Sequence, residues 1–207
     1  MGVIGRLATS LGRKDEVPNT ELAKQIAARG DGKAVKELVD GLKSSNKAIQ
    51  SDCIKVLYEI GERKPALIAD YDSDFLALLD SGDNRMVWGA MTALDSITLL
   101  SPKSVHSALG KIIRGADGGS VITRDHAVSI LIKLYSLKLY SEEAFPLLLK
   151  QLKLSPTNQL PMYAEKAAGI INDGNKSVFI RTLTTRLSEI EKDSKRRRVE
   201  AVIKKLS

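Results

Sequence analysis

Apolar positions in this chain recur at helical spacing and repeat every 37 residues. Steps of 37 from Cys53 fall on Ala90, Ala127 and Ala164, so this column holds only small residues. Four residues later stand Leu57, Leu94, Leu131 and Ala168, and seven later Ile60, Ile97, Leu134 and Ile171. One residue after the start stand Ile54, Met91 and Val128, with Glu165 interrupting the column. Four before it are Ile49, Met86, Thr123 and Leu160. These offsets trace one face of an α-helix. An amphipathic helix therefore recurs four times, with a small residue where it must approach a neighbour closely.

The same step marks helix starts. Asn46, Asp83, Ser120 and Thr157 are 37 apart, and Ser194 continues the series. Each side-chain oxygen can accept an orphan N–H of a first helical turn. Pro161 suits a first helical position, which moves the fourth start towards Leu160. A preceding helix carries the column Leu38, Phe75, Ile112 and Leu149. Each unit is thus helix, short turn, helix. First helices are predicted near 33–44, 73–80, 102–114 and 142–154, and second helices near 47–63, 84–99, 121–138 and 159–172. Gly82, Gly118-Gly119 and Asn172-Asp173-Gly174-Asn175 punctuate the joints. No run alternates as a strand does, so the predicted class is all-α.

Residues 1–31 form a lead segment with a short helix over 20–29, started by Thr20 and stopped by Gly30. Val3, Ile4, Leu7 and Leu11 share a face that could dock on the body of the protein or on lipid, unless the segment is a disordered terminus. The repeat array occupies 32–174, and 175–207 read as a degenerate fifth unit closing it. There Arg186, Arg197 and Lys205 fall in apolar columns, as suits a cap whose outer face meets water.

The segments Ile49–Ile60, Met86–Ile97, Thr123–Leu134 and, more weakly, Leu160–Ile171 resemble the second helix of HEAT repeats. Armadillo-like arrays are a close alternative. The basic residue usual after the first apolar position occurs once, as Arg124. The resemblance implies an α-α superhelix of about four units plus a capping helix pair. It also implies that the second helices line a concave face used for binding.

Composition narrows the chemistry. The 207 residues include 43% hydrophobic but 4% aromatic, so the core is aliphatic. No run approaches the ~18 apolar residues of a membrane span. The single cysteine excludes an internal disulfide and fits a reducing, cytoplasmic setting. Cys53 stands in an alanine column and reads as a small hydrophobe. His106 and His126 have no neighbouring Cys or Glu, so no metal is expected. Gly115-Ala116-Asp117-Gly118-Gly119 lacks the Lys-Ser/Thr of a phosphate loop. The expectation is a chain without cofactor or catalytic residues.

Two regions can meet a partner. Offsets −2, +2, +5 and +9 lie about 140–180° from the small column at 100° per residue. They hold Trp88, Asp125 and Met162; Lys55 and Lys166; Tyr58, Asp95 and Ile132; and Leu99. Trp88, Tyr58, Asp125, Met162, Lys166 and Ile132 are the candidate residues for binding a protein or peptide; the alternative is that curvature packs Trp88 against the next unit or the leading helix. His126 and Tyr163 flank them at the repeat seams. The second region is the tail, where seven Lys and Arg face Asp193 and Glu200 over residues 192–207. Five of the seven net positive charges are therefore terminal. Lys195, Arg196, Arg197 and Arg198 are candidates for phosphate contacts, and nucleic acid is the alternative partner. The bland reading is a solvated helix face.

Overall fold

A computed structural model describes residues 2–207. It is all-α, with no strand among the described residues. Two compact units, Met1–Ala127 and Val128–Ser207, divide the chain.

Unit one opens with two short 3-10 turns, Ile4–Arg6 and Thr9–Leu11, followed by α1 (Val17–Arg29) and α2 (Gly32–Gly41). Then come α3 (Lys47–Arg63), α4 (Asp72–Leu78), α5 (Asn84–Ile97), α6 (Pro102–Ser107), α7 (Leu109–Gly118) and the start of α8 (Val121–Ser136). Unit two holds the rest of α8, then α9 (Ser141–Leu154), α10 (Leu160–Ala167), α11 (Lys176–Thr184) and α12 (Asp193–Leu206). In unit one, α1 packs on α3 and α3 on α5, while α2 and α4 back them. In unit two, α10 packs on α12, with α9 and α11 behind.

Local chemistry sets the boundaries. Asn46 accepts the Ala48 N–H at 2.9 Å, Asp83 that of Arg85 at 2.8 Å, and Ser120 that of Thr123 at 3.3 Å. These are the capping bonds predicted for the second helices. The end of α3 comes at Lys64, which leaves the helical region because Pro65 follows. Gly30 closes α1 in the left-handed region at φ +66°. The repeat columns supply the core: Cys53, Ala90, Ala127, Ala164, Leu57, Leu94, Leu131, Ile60, Ile97 and Leu134 are all fully buried.

Several boundaries differ from the sequence reading. Thr20 lies inside α1, which begins at Val17 because Pro18 fits the first turn and Asp15 accepts the Val17 N–H. Thr157 caps nothing: α10 starts at Leu160, and Pro161 has no N–H to offer a capping hydroxyl. Ser194 is likewise inside α12, which starts one residue earlier. The helix predicted over 102–114 is two, α6 and α7. Ser107 donates back to the Lys103 carbonyl at 2.8 Å, a bond that bends helices. In α9 the buried position is Leu148, with Leu149 half-buried, one residue off the 37-step column.

The lead segment is built into the fold. Val3 and Leu7 are buried, while Leu11 is exposed. Asn19, fully buried in α1, accepts the Ala8 N–H at 2.9 Å and donates to Asp52 of α3 at 2.8 Å. The other Asp52 oxygen accepts the Thr9 N–H at 2.7 Å. One amide and one carboxylate thus tie the first turns to α3. The helix α1 occupies the place of a second helix ahead of the array.

Candidate functional site

In unit one the candidate face is built on α3, α5 and the first residues of α8. Gly89 brings α5 close to α3: a Cβ there would come within 2.6 Å of Ile54 Cγ1. This close approach sets the positions of the neighbouring side chains. Trp88, the residue before Gly89, is half-buried, with its ring 5.5 Å from that of Tyr58 and tilted by 53°. The Arg85 guanidinium lies over the Trp88 ring at 5.7 Å, and Lys55 Nζ over the Tyr58 ring at 4.9 Å.

A chain of alternating charges includes both of these cations. Arg63 meets Glu59 at 2.5 Å, and Glu59 meets Lys55 at 2.7 Å. Lys55 meets Glu16 at 3.1 Å, and Glu16 meets Arg85 at 2.5 Å. Glu16 comes from the lead segment, so that segment links the charges of α3 and α5. The Arg85 hydrogen bond holds the Glu16 carboxyl below its ordinary value, and Lys55 adds to this. Burial pulls the Lys55 ammonium down, but its bonds to Glu59, Tyr58 and Glu16 outweigh that and hold it above its ordinary value. Burial raises the Tyr58 phenol.

Tyr58 was expected to stand open on this face, yet it is 7% exposed, and Lys55 is 8% exposed. Successive second helices cover the +5 position along their seam. The next seam confirms that geometry: Asp95, at +5 of α5, binds His126 Nδ1 at 2.8 Å. Asp125, just before His126, is half-buried, as Trp88 is just before Gly89. Leu99 and Ile122 are exposed.

Ile132, Met162 and Lys166 belong to unit two. Ile132 and Met162 are half-buried and Lys166 is exposed. Tyr163 is fully buried. Of the tail residues, Lys195 donates to the Asn158 side chain at 2.6 Å, and Arg196 to the Ile190 carbonyl at 2.8 Å. Arg198 makes a two-bond pair with Glu165 at 2.7 and 2.5 Å. That pair accounts for the interrupted apolar column, because Glu165 faces the cap. Arg197 is exposed. The quartet is therefore largely spent on closing the array.

Arg186 is another residue whose role the apolar columns hide. It is 8% exposed, and its guanidinium donates to the carbonyls of Leu152, Lys153 and Ser155 at 2.8–3.1 Å. It caps the C-terminus of α9. Neither this cap nor Glu16 has a periodic signal, since each acts across more than 30 residues.

The face offers little to catalysis. The Cys53 thiol is pushed up to about 12, chiefly by burial and further by Asp52 and Glu37. Thr92 and Ser96 donate back to the Trp88 and Ala93 carbonyls, so neither hydroxyl is directed at His126. No cluster of three or more His, Cys, Asp or Glu among the described residues could hold a metal. No helix there is long and apolar enough to cross a membrane. An open groove of about 660 Å³ between α4 and α6, lined by Leu76, Leu100, Pro102 and Lys103, lies apart from these side chains.

No family model and no curated protein matches the chain. Solved structures do. A designed armadillo repeat protein in complex with the peptide (KR)4 superposes with a TM-score of 0.67 at 17% identity, covering 91% of this chain and 87% of that one. Computationally designed armadillo repeat proteins for modular peptide recognition give 0.64 at 13%, covering 98% and 97%. An engineered protein from a structural genomics consortium gives 0.57 at 19%, covering 100% and 98%. The fold is an all-α, armadillo/HEAT-like repeat solenoid. At these identities the likeness is one of fold alone.

Proposed function

We propose that the chain is a non-catalytic repeat scaffold that takes an extended protein segment along its second helices. The observation that carries this is Trp88, held half-buried between Tyr58 and Arg85 on a helix face, in the manner of a pre-organised interface anchor. Ring and guanidinium are already fixed, so little side-chain entropy remains to be lost on binding. Asp125, Leu99 and Ile122 extend the same face with polar and apolar contacts. Similar folds support the reading, since one was solved with a bound peptide and another was designed for peptide recognition. In unit two, Ile132, Met162 and Lys166 stand in the equivalent sequence columns.

The single tryptophan gives the test its reporter. Peptides selected from a random display library against the full chain should shift Trp88 emission on binding. They should bind Trp88→Ala at least tenfold more weakly, and Trp88→Phe by a smaller factor. Selected peptides that leave the emission unchanged and bind Trp88→Ala equally well would refute the assignment.

A further inference from the structure

The net charge of +7 is not shared between the two units. Residues 1–127 hold 17 Lys and Arg against 17 Asp and Glu; residues 128–207 hold 15 against 8. All of the excess lies in the C-terminal unit, and the seam register shows where part of it is displayed. In unit one, the residue before each seam residue stands on the outward side of its helix: Trp88 before Gly89, Asp125 before His126. In unit two the seam residue of α12 is Arg198, which pairs with Glu165 of α10. Arg197 precedes it and therefore holds the Trp88 position. Lys204 lies seven residues on, two turns along the same side, and Lys205 is its neighbour. Val199 and Val202 are the buried positions of α12, while Ala201 between the cations is exposed. On α10, Lys166 follows Met162 by one turn. Arg197, Lys204, Lys205 and Lys166 are all exposed, and none enters an ion pair among the described residues. By contrast, the cations of the unit-one face are neutralised by Glu16 and Glu59.

We infer that the second-helix face of the C-terminal unit takes an acidic protein segment, a run of aspartate and glutamate. This rests on the scaffold reading above and gives its partner a chemistry. Four unpaired cations on two packed helices outnumber Glu200, which lies one turn after Arg197 and one turn before Lys204, and leave a net positive strip; Met162 and Ala201 add apolar surface to it. The tail holds no aromatic residue on which a base could stack, which favours a peptide over single-stranded nucleic acid.

The test uses the full chain and fluorescein-labelled octaglutamate, followed by anisotropy at low salt. Binding should weaken about tenfold or more in Arg197→Glu/Lys204→Glu and by a smaller factor in Arg197→Ala/Lys204→Ala. It should change less than twofold in Lys138→Glu/Lys153→Glu, an equal charge change outside the strip. These side chains make no intramolecular bonds, so folding should be unaltered by circular dichroism. Absence of octaglutamate binding, or equal loss in both reversed pairs, overturns the inference. So does duplex DNA binding more tightly than octaglutamate through the same two residues, which would assign the strip to nucleic acid. The scaffold reading fails separately. Trp88-independent peptide selection alongside intact, Arg197-dependent octaglutamate binding would remove the anchor and leave the acidic-segment site standing.

Discussion

Replacing Asn19 with alanine tests whether the lead segment is part of the cooperative structure of the N-terminal unit. The side chain is fully buried and makes two bonds, one to the Ala8 amide and one to the Asp52 carboxylate. A neutral hydrogen bond contributes about 1 kcal/mol and one to a charged acceptor about 2. The substitution leaves the Ala8 N–H and one carboxylate oxygen buried without their partner, so the loss should be about 3 kcal/mol. Asp52→Asn keeps the shape but gives one end of the group a donor where an acceptor is needed, and should cost about 1–2 kcal/mol. Two measurements separate the outcomes: the urea midpoint, and amide exchange at Ala8, Thr9 and Leu57. A loss of 3 kcal/mol corresponds to roughly 100-fold faster exchange. Because α1 packs along α3 and its Leu22, Ala23 and Ile26 are buried, the Leu57 amide in α3 should accelerate with Ala8 and Thr9. If Leu57 exchange is unchanged while Ala8 and Thr9 accelerate, the lead segment opens alone and the clasp does not support α3. A change below about 1 kcal/mol by every readout would mean that water replaces both bonds without cost.

Glu16 supplies a pH signature. Its folded pKa is depressed, so its contribution is present above the unfolded value, near 4.5, and is lost as pH falls through the folded value. The group is 48% exposed, so screening limits the term to about 0.5 kcal/mol. Glu16→Gln should flatten the fall of the urea midpoint below that pH, and an unaltered slope would exclude the bridge. Gly89→Ala opposes two effects: helix propensity alone predicts a gain of about 1 kcal/mol. The clash with Ile54 predicts a loss of about 1–3 kcal/mol, and the melting temperature should fall. Stabilisation would show that the α3–α5 seam is looser than described. Arg186→Met retains the aliphatic stem but leaves the α9 carbonyls of Leu152, Lys153 and Ser155 without their donor. It should cost about 3 kcal/mol in chemical denaturation, and a loss under about 1 would mean that solvent caps this end as well.

The fold was legible where its cause is local. The buried columns through Cys53, Leu57 and Ile60 follow from helical periodicity, and the caps at Asn46 and Asp83 from side chains two residues from their donors. What escaped was long-range and polar. The Asn19–Asp52 bond spans 33 residues, and the Arg186 contacts with the end of α9 span 31–34. No repeat register relates such partners. The outward columns were partly misassigned for a different reason: a single helix viewed alone has no neighbour. Geometry around one axis places Tyr58 on the open side, but the adjoining helix covers it. Trp88, at −2, escapes that covering and stays half-open. The face was therefore readable by column, and its depth was not.

The seam offers a physical account of how such an array changes partner chemistry without changing fold. Its contact is apolar at Ile54 and Gly89, a carboxylate–imidazole bond at Asp95 and His126, and a full ion pair at Glu165 and Arg198. The residue before each contact on the later helix, Trp88, Asp125 or Arg197, is half-buried or exposed. The rotation of α12 follows its buried Val199 and Val202, which places Arg198 two residues from where the 37-step would put the seam residue and leaves Ala201 exposed. A strictly continued period would have buried Ala201 and turned a different set of cations outward. With Val199 and Val202 buried, Arg197 and Lys204 stand on the open side of α12, and the exposed Arg198 pairs with Glu165 beside them. Charge that looks in the sequence like a solvated tail is, in the folded chain, divided between residues that close the array and residues left to meet something else.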